Sequence, residues 1–122
     1  MSITVSYHND LLIAKETMNQ LKNSYPLTFE KLEHIVQLTR ALHFKYQYMG
    51  CLIMDEEPGT ACPNFVSDSV LNLYSSEIEK LKNDSHIHII KQTLNKLNKV
   101  GYDNISLLVL GIEPESIVGI GA

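Results

Sequence analysis

The sequence predicts an all-α fold, a helical bundle, and three observations carry that prediction. Apolar residues recur at alternating spacings of three and four through most of the chain, which draws one apolar stripe along each of several helices. Polar residues suited to capping a helix stand ahead of those stripes. Proline and glycine fall mostly between the stripes, where they end one helix and open the next. Seams of this kind pack near-antiparallel neighbours, so the expected architecture is about four long helices followed by a short C-terminal helix or strand.

The elements follow in order. Ile3-Thr4-Val5-Ser6-Tyr7 is β-branched or aromatic and alternating, which predicts a short strand or an extended arm over residues 1–8. Asn9 or Asp10 then caps a first helix with the stripe Leu11, Ala14, Met18, Leu21, Tyr25. Pro26 stops it, because the residue before a proline is biased out of the helical region. Thr28 caps a second helix with the stripe Ile35, Thr39, Leu42, Tyr46, Met49, Ile53. Leu32, Val36, Leu38 and Leu52 widen its apolar face, so this is the expected central helix. Gly50 is its weak point, at about 1 kcal/mol against Ala. The stripe continues through Cys51-Leu52-Ile53-Met54, so the helix is expected to run past Gly50 to Met54.

Residues 55–65 hold two prolines, a glycine and an acidic cluster, and predict a loop. Ser67 or Asp68 caps a third helix with the stripe Val70, Tyr74, Ile78, Leu81. Asn83-Asp84-Ser85 breaks it and caps a fourth, with Ile87, Ile90, Leu94 and Leu97, which stops at Gly101. Asn104 to Leu110 is an apolar run that periodicity leaves open between buried strand and short helix. Asp103 as cap and Gly111 as stop favour the helix, and pairing with residues 3–7 favours the strand. Pro114 starts a last turn, with residues 117–122 loose or docked.

Composition bounds the rest. A chain of 122 residues fits one domain over 1–122 and buries roughly two-thirds of its unfolded surface, enough to fold without a disulfide or metal staple. A net charge of −4, with lysines diluted among Glu, Asp and Asn, argues against a nucleic-acid partner. The apolar runs are too short to span a bilayer, so no membrane role is expected. Residues 1–5 lack a secretory-signal pattern, and a cytoplasmic protein is the expectation, with delivery into a host cell by a route without a cleaved signal left open.

Catalytic and metal-binding chemistry is weakly represented. Cys62 in the loop, paired with one of His8, His34, His43, His86 or His88, is the one candidate nucleophile. It lacks the surroundings of known catalytic cysteines, and a small loop residue is the plainer reading. Cys51 lies on the helical stripe and reads as a buried hydrophobe. His86 and His88 on a helix point roughly 200° apart and cannot share an ion. Asp55-Glu56-Glu57 lacks the calcium-loop pattern. No enzyme activity, cofactor or metal is therefore expected.

The candidate partner-binding residues are Phe44, Tyr48 and Leu52, on the second face of the central helix, with the acidic Asp55, Glu56 and Glu57 that follow. Aromatic side chains outside the core make interface anchors, and acidic groups steer a basic partner. The alternative is that another helix of the same chain covers the aromatic face. If that face is open, a homodimer is the simplest way to bury it.

Taken whole, the start Ser2-Ile3-Thr4-Val5-Ser6-Tyr7-His8-Asn9-Asp10 leading into the first helix, with an Asn-, Lys- and Ile-rich style throughout, resembles small proteins of intracellular bacteria such as Legionella. In particular the chain resembles the small helical effector regulators of that genus. Glu113-Pro114-Glu115-Ser116 before the apolar end is compatible with the glutamate-containing, uncleaved tail signals of such secreted proteins. The resemblance implies a regulator that binds and inhibits neighbouring ubiquitin-directed deamidase or transglutaminase effectors. It assigns no residue a role. The leading expectation is thus a non-enzymatic inhibitor of a ubiquitin-modifying effector enzyme. The alternatives are a small cysteine-dependent enzyme using Cys62 and a histidine, and a dimeric adaptor or chaperone-like protein.

Overall fold

The seam Tyr7, Leu11, Ala14, Met18, Leu21 lies along one long helix, α1 (Ile3–Ser24). In the computed structural model, which describes residues 3–114, this helix begins at Ile3. The strand or arm expected over residues 1–8 is therefore helical from Ile3 onward, with residues 1 and 2 outside the described residues. The reason lies four residues before Leu11. Continuing the helix keeps Tyr7 on the buried seam, where its hydroxyl accepts a hydrogen bond from Asn104 Nδ2. Asn9 and Asp10, expected as caps, sit inside α1.

Tyr25 leaves the helical region (φ −133°, ψ 62°), and Pro26 opens α2 (Pro26–Ala41) at its first position. Proline is well placed there, because that N–H would find no partner within the helix. Thr28, expected as the cap, is instead buried in the first turn, and its hydroxyl donates to Asp84 Oδ1 at 2.8 Å. The broad apolar face is real: Phe29, Leu32, Ile35, Val36 and Thr39 are all buried. Accordingly α2 packs against α1, α4 (Asp68–Lys82) and two short helices, α3 (Tyr46–Ile53) and α6 (Gly101–Val109).

The expected helix running through to Met54 is broken. His43 takes φ +58°, the left-handed region. The His43 N–H then donates to Arg40 O at 3.1 Å and the Phe44 N–H to Thr39 O at 3.0 Å. This is a Schellman stop with histidine at the position glycine usually fills. The stripe resumes in α3, with Gly50 inside that helix as expected. α3 ends at a second left-handed residue, Asp55 (φ +58°), after which the Glu56 N–H donates to Cys51 O at 2.8 Å.

The loop that follows contains one 3₁₀ turn, Gly59–Ala61, pinned by the buried Ala61. Ser67 caps α4, its hydroxyl accepting from the Val70 N–H at 3.4 Å. Tyr74, Ile78 and Leu81 face the core. Asp84 then turns the chain, accepting from the His86 N–H at 2.8 Å, into α5 (Ile87–Lys96). A 3₁₀ turn, Asn98–Val100, leads to Gly101 (φ +82°) and α6. The open choice at Asn104–Leu110 resolves as helix, stopped by Gly111 at φ +77°. Asp103 lies in the first turn of α6 rather than at its cap, where it still favours the helix dipole.

Six α-helices and no strand occur among the described residues, an all-α bundle. α2 and α4 run antiparallel, since Thr28 meets Asp84, His34 meets Glu77 and Thr39 meets Tyr74. No helix among the described residues is long and apolar enough to cross a membrane. The expected last turn and residues 117–122 lie outside the described residues.

Candidate functional site

Three aromatic rings define what the core claims for itself. Phe44 meets Tyr74 edge-on at 5.0 Å, and Tyr48 stacks on Tyr74 at 5.8 Å with planes 15° apart. Phe44 and Tyr48 are themselves T-shaped at 5.8 Å. All three are buried, so Phe44 and Tyr48 are not surface anchors. The expectation of an open aromatic face is corrected: the break at His43 turns α3 so that α4 covers it. Leu52 is half-buried against the same core.

The Tyr74 phenol is bound into this core. Thr39 Oγ1 lies 2.7 Å from Ile35 O and 2.7 Å from the Tyr74 oxygen. The carbonyl only accepts, so Thr39 gives it the hydroxyl proton and Tyr74 donates to Thr39. Burial holds the phenol well above its ordinary pKa.

The acidic loop divides by role. The Asp55 carboxylate pairs with Lys82 on α4 and with Lys91 on α5, the latter at 2.8 Å. Hydrogen bonds from Lys82 first, then Lys91, pull its carboxyl down to about 2. Asp55 thus ties the start of the loop to two helices while its side chain stays exposed. Glu56 and Glu57 are exposed and free to face a partner.

The feature that sequence reasoning passed over is Phe65. It is the most exposed large apolar residue among those described, and it stands at φ +59°. Left-handed backbone costs an L-residue roughly 1–2 kcal/mol. Its signal in the sequence was an aromatic residue between Asn64 and Val66, within a stretch otherwise made of turn formers and acids. Cys62 is exposed in the same loop, and its sulfur lies 3.8 Å from Pro63 O. Cys51 is buried, and burial first, then the nearby Glu56 charge, pushes its thiol up. The His86 ring packs on Tyr25 at 4.7 Å. No group of three or more metal-ligating side chains gathers among the described residues.

A second surface lies on the outer side of the antiparallel pair α2 and α4. An open groove of about 820 Å³ runs between them, bordered by Leu27, Glu30, Glu33, His34, Glu77 and Lys80. Leu27 is 74% exposed at one end. Leu73 is 54% exposed and lies four and seven residues before Glu77 and Lys80, on the same face of α4.

No protein-family model, curated protein or solved structure matches this chain.

Proposed function

We propose that this chain is a protein-binding regulator that engages its partner through the loop after α3, with Phe65 as the anchor. The exposed, left-handed Phe65 carries this reading. Strained residues that the core does not require collect at binding and switch sites. Burying a phenylalanine in a partner's pocket is worth about 1.5–3 kcal/mol, which offsets the strain of presenting it. Glu56, Glu57 and Asp68 lie near Phe65 in sequence and are exposed, so a pocket rimmed by lysine or arginine fits best.

The resemblance to Legionella effector regulators supplies the partner class, a ubiquitin-modifying effector enzyme. A chain docked over such an enzyme's substrate surface inhibits it by steric exclusion, with no chemistry of its own. The test is the rate of the candidate effector with micromolar chain present. Inhibition by the natural chain that Phe65→Asn abolishes supports the reading. An unchanged rate, together with no capture of the effector, removes it.

A further inference from the structure

Charge is segregated along this chain. Residues 46–79, which include the Phe65 loop, hold six acidic residues and no lysine, arginine or histidine. Residues 85–102 hold three lysines and no acidic residue. Of these three, Lys91 is paired with Asp55 at 2.8 Å. Lys96 and Lys99 are exposed and border a notch of about 220 Å³ between α1 and the end of α5. Its apolar lining is the buried pair Leu97 and Val100, with Ile13, which is 51% exposed. Asp10, half-buried, is the one acid beside the two lysines. Pockets for small-molecule ligands run from about 300 to 1,000 Å³, so this notch falls below that range and suits a single large side chain.

We infer that the notch seats Phe65 of a second copy of this chain, so that copies associate head to tail and cover the anchor until a partner displaces them. The two surfaces match in kind. Phe65 is fully exposed, so it does not fill the notch of its own copy. It stands in the acid-only segment, with Glu56, Glu57 and Asp68 exposed to either side of it in sequence. The notch is apolar inside and carries Lys96 and Lys99 at its mouth, the lysine-rimmed pocket that an acidic loop fits best. The net charge of −4 on each copy opposes association. At physiological salt that repulsion is screened beyond about 8 Å, so the groups that face each other decide. One inserted side chain offsets little of the freedom lost on association, so the contact is weak and a partner with more surface displaces it. The inference rests on the reading of Phe65 as an anchor and adds the regulation of that same site.

Sedimentation of the full chain from about 1 μM to about 1 mM tests it. The expected result is a mass that rises with concentration. Phe65→Asn and the Lys96→Glu, Lys99→Glu double variant each weaken that association at least about tenfold. An equimolar mixture of the two variants recovers it but stops at a dimer, because each pair then holds one intact Phe65 and one intact notch. All three side chains are exposed, and melting temperatures no lower than that of the natural chain confirm that the variants are folded. Lys96→Gln, Lys99→Gln takes the place of the glutamate variant if that one melts lower. A chain that stays monomeric to about 1 mM overturns the inference. So does a variant that associates as the natural chain does, or a mixture that stays monomeric. Inhibition of the candidate effector separates the two readings. If the chain is monomeric and Phe65→Asn still abolishes inhibition, self-association falls and the partner reading stands. If association follows Phe65 and the notch while Phe65→Asn inhibits as before, the partner reading falls and self-association stands.

Discussion

The ring of Tyr102 lies directly over the bare α-carbon of Gly50, where a β-carbon would come within 2.3 Å of the ring carbon Cζ. This approach brings α6 onto α3. It also explains a glycine in the middle of a helix, where glycine is disfavoured by about 1 kcal/mol. Gly50→Ala is therefore expected to destabilise the protein by about 1–3 kcal/mol, because the ring must swing off its seat. In a Tyr102→Ala background the same substitution becomes neutral or stabilising, by up to about 1 kcal/mol. Denaturant unfolding of the four proteins of this cycle measures it, and additive effects contradict the contact.

The Thr39–Tyr74 hydrogen bond has a direction, and the direction has a consequence. Tyr74→Phe removes a donor and leaves Thr39 bonded to Ile35 O, at a cost of about 1 kcal/mol. Thr39→Val strands the buried Tyr74 hydroxyl without an acceptor and is expected to cost more, up to about 3 kcal/mol. Thermal melts of the two variants rank them. The opposite order would mean that the proton runs the other way.

Asp84 is the main acid-sensitive joint between α2 and the α4–α5 turn. Its carboxylate accepts from Lys31 first, then from the His86 N–H and the Thr28 hydroxyl, and its pKa falls to about 2. The folded value lies below the unfolded value of roughly 3.9. The stabilisation is therefore complete above about pH 4 and is lost as the pH falls toward 2. Asp84→Ala is expected to lower stability at neutral pH by about 1–3 kcal/mol and to flatten the pH dependence over that window. Asp55, lowered in the same way by Lys82 and Lys91, leaves a residual slope. Urea unfolding from pH 2 to 7 tests this, and an unchanged profile contradicts it.

The sequence reading and the structure part company at particular residues. The seams of α1, α2, α4 and α5 were legible because each buries residues at helical spacing, such as Leu11, Ala14, Met18 and Leu21. The break after Ala41 was not, because its left-handed residue is His43, and histidine carries none of glycine's signal. That miss had a second effect. It left Phe44 and Tyr48 on a continuous helix with a spare face, whereas the turn at His43 folds them onto Tyr74. The same limit hid Phe65, since a side chain's exposure and its backbone angle are properties of the folded loop. Glu56 and Glu57 keep the exposure expected of them. Asp55 is exposed as well, and its pairing with Lys82 and Lys91 was not legible because those lysines lie 27 and 36 residues further along the chain.

The central claim is that Phe65 is presented for a partner and contributes nothing to the fold. The measurement that tests it most directly is the dissociation constant of the captured partner for the natural chain and for Phe65→Asn, with melting temperatures taken alongside. Asparagine accepts the left-handed backbone more readily than phenylalanine. The variant is expected to melt at the same temperature or higher and to bind at least about tenfold more weakly, the loss expected when a buried aromatic anchor is removed. Unchanged affinity, or a clear fall in melting temperature, would contradict the account.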